Sequence, residues 1–283
     1  RRHASHARII ILYVVDYIIL GCLAGAWGYI STLDPNFSRF SLTDITIQYP
    51  IADPETVTYA FAIVYAVAVP IFIIMVWSLV IDWVRYKSPV RARLWELNAG
   101  VLGILLSLVL SIVITTTLKA IVGRPRPDAI ARCIPKDGAT DASPYGLSTI
   151  DICTQTDHSI LAEGWRSWPS GHSSTSFAGL LYLSLYLAGK LSLYDNKGEV
   201  WKSIVVMIPS LGAAAIATSR VKDHRHHGTD VLTGSIIGAA TAWLAYRLYY
   251  PPLSDTTQQG RAWSMRRWGE AKVSPPITNG SDG

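Results

Sequence analysis

The sequence predicts an all-α integral membrane protein of six transmembrane helices, and three observations carry that prediction. Half of the 283 residues are hydrophobic and only 16% are charged, against about a quarter charged in a soluble domain. The mean hydropathy is positive, +0.27. The charges are missing chiefly from six blocks, residues 9–30, 58–81, 99–118, 173–189, 203–219 and 231–246. A helix needs roughly 20 residues to cross hydrocarbon, fewer where a terminal Lys or Arg snorkels.

The first three blocks are long enough alone. The last three reach that length if flanking residues such as Lys202 and Arg247 extend to the interface. Ten Trp and fourteen Tyr match the aromatic enrichment of headgroup regions. The first block reads as a span, not a cleavable signal. Pro70 is expected to kink the second span, and Gly234 and Gly238 give the last a small face for close packing. Asp16 is an ionisable group inside the first span, structural if partnered and otherwise a functional candidate; Cys22 beside it reads as a small core residue. Residues 1–250 thus form one six-span domain, and 251–283 a polar, disordered cytoplasmic tail.

Basic residues set the orientation. Arg1, Arg2 and Arg8 lie before the first span, Arg85, Lys87, Arg91 and Arg93 in the second connection, Lys190, Lys197 and Lys202 in the fourth, and Arg261, Arg266, Arg267 and Lys272 in the tail. The first connection has only Arg39 against Asp34, Asp44, Asp53 and Glu55. Both termini are therefore expected in the cytoplasm, with the first, third and fifth connections lumenal or exoplasmic. The net charge of +5 sits in these short segments and does not indicate a nucleic-acid partner. Cys133 and Cys153 share the third connection, on the oxidising side, either as a disulfide or as two thiols. Of the sequons, Asn36-Phe-Ser38 falls in an outer loop close to the membrane and Asn279-Gly-Ser281 in the cytoplasmic tail.

Three polar clusters abut span ends that this topology puts on one face. Lys119 to Pro127 closes the third span, Trp168 to His172 opens the fourth, and Ser219 to Asp230 joins the fifth and sixth. Lys119, Arg126 and Arg220 supply positive charge, and the Arg fork matches phosphate oxygens. Ser170-Gly171-His172 begins a helix, whose free N–H groups and dipole favour an anion; Gly171 admits a ligand close to the backbone. His226 and Asp230, four apart, are brought together by one helical turn. A carboxylate on one imidazole nitrogen leaves the other free to attack, and His172 remains to protonate a leaving oxygen. Singly, each piece has a plainer reading: Lys119 and Arg126 as snorkelling anchors, Ser170 as an N-cap, and His224, His226, His227 and Asp230 as a metal site that the nearby arginines would disfavour.

Together these residues resemble the type 2 phosphatidic acid phosphatase superfamily, in its membrane branch of lipid phosphate phosphatases. That signature is K-six residues-RP, PSGH, and SR-five residues-H-three residues-D. It is matched by Lys119 with Arg126-Pro127, by Pro169 to His172, and by Ser219-Arg220 with His226 and Asp230. The stretches Val221 to Gly234 and Gly123 to Asp128 look like the eukaryotic lipid phosphatases more than the bacterial ones, and within that group the chain is similar to the fungal diacylglycerol pyrophosphate phosphatases. The resemblance implies a membrane-bound hydrolase of phosphatidate, lysophosphatidate or diacylglycerol pyrophosphate. It implies His226 as the nucleophile that becomes phosphohistidine, Asp230 orienting it, and His172 as acid and then base. Lys119, Arg126, Ser170, Gly171 and Arg220 would hold the phosphate. No metal or other cofactor is implied.

Prenyl diphosphates or sugar phosphates suit the same machinery, because the motifs read phosphate and not the leaving group. A silent scaffold or a transporter is the competing class; it would have lost a motif residue or placed charges in mid-span. The orientation suits vacuole, endoplasmic reticulum, Golgi and plasma membrane alike, and these residues specify no oligomeric state.

Overall fold

The computed structural model describes residues 6–144, 146–258 and 260–263. Eight helices among the described residues carry the fold, beside three short 3-10 helices (Ile45–Ile47, Ile150–Ile152 and Thr256–Gln258): α1 (His6–Thr32), α2 (Tyr59–Tyr86), α3 (Val90–Val122), α4 (Ala129–Cys133), α5 (His158–Gly164), α6 (171–190), α7 (Val200–Lys222) and α8 (Gly228–Tyr249). Among the described residues there is no β-strand, only three isolated bridges.

Five of these helices, α1, α2, α3, α7 and α8, are long and apolar enough to cross a membrane. They present Ile18, Phe61, Phe72, Ile208, Ile236 and Trp243 outward, a surface that hydrocarbon solvates and water does not. The fourth expected span falls in α6. That helix is continuous but polar at its start, where Ser173, Ser174, Thr175 and Ser176 are all buried. It packs against α2, α3, α7 and α8, so its environment is protein rather than lipid. Thr115 of α3 donates to Ser174 Oγ (2.9 Å), and Ser107 to the Ala178 carbonyl (2.9 Å). The hydroxyls of Ser174 and Ser176 are satisfied inside the bundle, and a helix end packed in protein needs no apolar sequence.

The small face of α8 meets α6: a Cβ at Gly234 or Gly238 would strike the carbonyls of Ser170 and Ser174. Pro70 stands two residues after a π turn at Val64–Ala68, and a second π turn spans Trp77–Ile81. The helix thus accommodates the missing N–H by a locally wider turn. α1 packs on α3, through Tyr13 and Leu20 around Leu102.

At one end of the bundle the first and third connections form a cap. Phe40, Ile47, Ala129, Cys133 and Trp165 make its apolar centre, and a Cys133–Cys153 disulfide closes it. Gly123, the C-cap of α3, has φ +59° and lies against the Asn36 carbonyl. Only glycine tolerates both demands, and the turn sends Arg124 and Arg126 across the mouth of the bundle.

At the other end Lys190 bridges Glu96 (2.8 Å) and Asp82 (3.5 Å), all three buried. Lys202, expected at the interface, pairs with Asp195 (2.6 Å) and with Glu199. The start of the expected tail packs here: Ala262 N–H donates to Glu96 (3.0 Å), and the Trp263 carbonyl accepts from Trp95 Nε1 (2.8 Å). Residues 264–283, including the second sequon, lie outside the described residues.

Candidate active site

Under the cap, between the ends of α1, α2, α3, α6 and α7, lies a cavity of about 300 Å³. Lys119, Arg126, Gly171, His172, Arg220 and His226 all line it, so the three clusters do converge. Of the remaining expected residues, Ser170 and Asp230 are wholly buried behind the wall and are not among the lining residues. Asp16 does not line the cavity either; it engages a neighbouring group.

Each cation is fixed by a different device. Lys119, in the last turn of α3, donates to the Arg166 carbonyl (2.5 Å). Arg126 is anchored by its backbone N–H on Gly164 O (2.8 Å) and its guanidinium pairs with Glu163. Burial pulls this guanidinium below its usual value, while Glu163 opposes the shift. Glu163 itself is pushed up by burial but held below the usual carboxylate value by Arg126 and Lys119. Arg220 is fully buried and its fork is filled: Glu55 (2.6 Å), Asp223 (2.9 Å) and Ser219 Oγ (3.1 Å). Glu55 also pairs with Arg225 (2.8 Å). Asp223 is locked by the Thr56 N–H (2.8 Å) and hydroxyl (2.5 Å), which bonds the Glu55 segment to the end of α7.

Gly171 is the first helical residue of α6 and Ser170 its N-cap, as the motif predicts. The Ser170 hydroxyl has no partner, while its N–H donates to the Asp230 carbonyl (3.0 Å). His172 Nε2 is buried without a hydrogen bond, and the edge-to-face Tyr59 ring lies 5.1 Å away between centroids.

The relation of His226 to Asp230 departs from the expected single helical turn. α8 begins at Gly228 with His227 as its N-cap, so His226 lies in the preceding loop. Its Nδ1 is 3.8 Å from Asp230 Oδ2 and makes no hydrogen bond. Asp230 instead accepts from Ser167 Oγ (2.5 Å), Arg124 (2.6 Å) and the His227 N–H (3.0 Å). The helix cap takes the carboxylate because the N3 side chain is the natural partner of the N-cap backbone. Asp230 thereby ties the segment before α6 to the start of α8. His226 is 3% exposed, and burial, then Arg126, drives its pKa well below the ordinary imidazole value. Its neutral ring therefore persists on acidification.

Sequence reasoning missed Glu55, Tyr59, Glu163, Arg166 and Arg225, which line the cavity, and Arg124 and Ser167, which hold Asp230. Arg225 lies inside a quoted motif, and its charge was the available signal. Among the described residues no three His, Cys, Asp or Glu side chains are grouped as a metal ion would require.

Fold and site together define a membrane-spanning helical protein with a cationic pocket lined by two histidines. The profile of the PAP2 superfamily matches residues 100–252, and the chain belongs to that superfamily. It is 37% identical over 244 residues to "Lipid phosphate phosphatase 2" of Arabidopsis thaliana, covering 85% of this chain and 78% of that one. To "Diacylglycerol pyrophosphate phosphatase 1" of Saccharomyces cerevisiae it is 37% identical over 218 residues, 77% and 72% of the two chains. To "Probable diacylglycerol pyrophosphate phosphatase 1" of Schizosaccharomyces pombe it is 34% identical over 251 residues, 88% and 85%. No solved structure matches significantly.

Proposed function

We propose that the chain is a lipid phosphate phosphatase that hydrolyses phosphatidate, lysophosphatidate or diacylglycerol pyrophosphate without a divalent metal. One observation carries the reading: His172 and His226 line a single cavity with Lys119, Arg126 and Arg220, and Trp27, Ile30 and Ile112 add apolar wall to it. Such a site suits a phosphate whose tails stay in the bilayer. The names of the relatives agree in substrate class.

His226 Nε2, the nitrogen turned away from Asp230, attacks phosphorus; the N–P bond forms as the ester P–O bond breaks. His172 gives its proton to the departing oxygen. Water then attacks the phosphohistidine and returns a proton to His172 as the N–P bond breaks, restoring the neutral His226 ring. Lys119, Arg126, Arg220 and the N–H groups at Gly171 hold the charge on the phosphoryl oxygens in both steps. Asp230 positions His226 through the loop it caps. The basic connections and the disulfide support a lumenal or exoplasmic site with cytoplasmic termini.

Phosphate release from a lipid panel with purified protein tests this. Turnover of phosphatidate or diacylglycerol pyrophosphate is expected, changed by less than about twofold on adding EDTA, since guanidinium and ammonium groups replace the metal clamp. A clear preference for a water-soluble sugar phosphate, or loss of turnover with EDTA, would reverse the reading.

The pH dependence follows from His226. Attack needs the neutral ring, and the ring's pKa lies below the usual 6.5. As pH falls, the nucleophile is lost only below that value. The acid limb of kcat/KM, corrected for the substrate's own second ionisation, is expected below pH 6.5. A corrected limb at or above 6.5 would contradict the buried, neutral nucleophile.

A further inference from the structure

The cavity's cations are unevenly matched. Arg126, Arg220 and Arg225 each pair with a carboxylate, whereas Lys119 and Arg166 are held by main-chain carbonyls. Arg166 lies in the turn between α5 and α6. Its own carbonyl accepts from Lys119 Nζ (2.5 Å) and, at 3.5 Å, from Arg126, so it adjoins the two cations assigned to the reacting phosphate. Its guanidinium reaches the other way, donating from Nη2 to the Leu33 carbonyl (2.5 Å) just past the end of α1. The last turns of α1 supply Trp27, Ile30 and Ser31 to the cavity. Arg166 therefore stands between the cationic floor and the apolar wall, with most of its five donors uncommitted.

We propose that Arg166 is a second anion subsite, which takes the lipid-proximal phosphate of a pyrophosphate headgroup. The inference rests on the lipid phosphatase reading above. With the terminal phosphorus at His226 and the tails on the apolar side, the second phosphate of a pyrophosphate monoester must lie along the path between them. It brings at least one more negative charge than a monophosphate does. Arg166 is the cation on that path without a carboxylate of its own, and its planar fork suits two phosphate oxygens.

The test compares wild type, Arg166→Gln and Arg166→Lys on phosphatidate and on diacylglycerol pyrophosphate in matched micelles. Arg166→Gln is expected to lower kcat/KM for the pyrophosphate about tenfold, the effect of one charge-assisted hydrogen bond, and to leave phosphatidate within about twofold. Arg166→Lys should recover part of the loss, because a point charge remains. Equal losses on both lipids, or an unchanged ratio, would overturn the subsite.

Inorganic anions give a measurement that needs no variant. Inorganic pyrophosphate is expected to bind the wild-type protein at least about fivefold more tightly than orthophosphate, by thermal shift, because it reaches one more cation. Equal binding would also overturn the proposal. A wild-type protein that turns over neither lipid but still prefers pyrophosphate would instead sink the lipid phosphatase reading and leave the subsite standing.

Discussion

His226→Ala is expected to lower kcat/KM on phosphatidate by about 10⁴-fold or more, the scale on which removal of a covalent catalyst is felt. The loss would exceed that of any single cation, because no other buried imidazole stands ready to form the bond to phosphorus. Tyr59 covers the His172 ring, and His227 is committed to Asp230 as the cap of α8. Thermal melting in detergent should stay close to wild type, since His226 Nδ1 makes no hydrogen bond that its removal would strand and Asp230 keeps its bonds to Ser167, Arg124 and His227. Turnover within about tenfold of wild type would exclude covalent catalysis at this position.

His172→Ala is expected to have the second largest effect, and one that depends on substrate. General acid catalysis contributes about 10²–10⁴-fold, and it matters most when the leaving group is a poor one. Phosphatidate must expel an alkoxide; diacylglycerol pyrophosphate expels a phosphate ester that departs without help. The variant should therefore stall on phosphatidate at the first step. On the pyrophosphate it should release about one equivalent of phosphatidate rapidly and then slow, with phosphohistidine accumulating because the base for water is missing. Rapid-quench product counts and acid-labile labelling of the protein read both steps. Equal slowing on the two lipids without a labelled protein would remove His172 from both.

How much of this was legible follows from the range over which each contact acts. The apolar blocks announced α1, α2, α3, α7 and α8, because lipid imposes its demand residue by residue. The polar start of α6 hid its central position: hydroxyls such as Ser174 are satisfied by Thr115, 59 residues away, and no local pattern encodes that. The order of the spans put the clusters of His172, His226 and three cations on one face, and these five side chains line one cavity. The motif spacings could not show that Glu55 would reach Arg220, 165 residues on, or that Glu163 would meet Arg126. The four-residue spacing does bring His226 to within 3.8 Å of Asp230, but across the start of the helix rather than within one of its turns, because His227 is the N-cap.

The pairing of Glu55 and Glu163 with the pocket's arginines has a consequence for turnover. Bare guanidinium groups at this depth would be costly to leave without partners, and would cling to whatever anion arrived. With carboxylates alongside, any anion that entered would compete with a resident counter-ion for the same guanidinium groups. Under the proposed reaction, that competition would weaken the hold on product as much as on substrate.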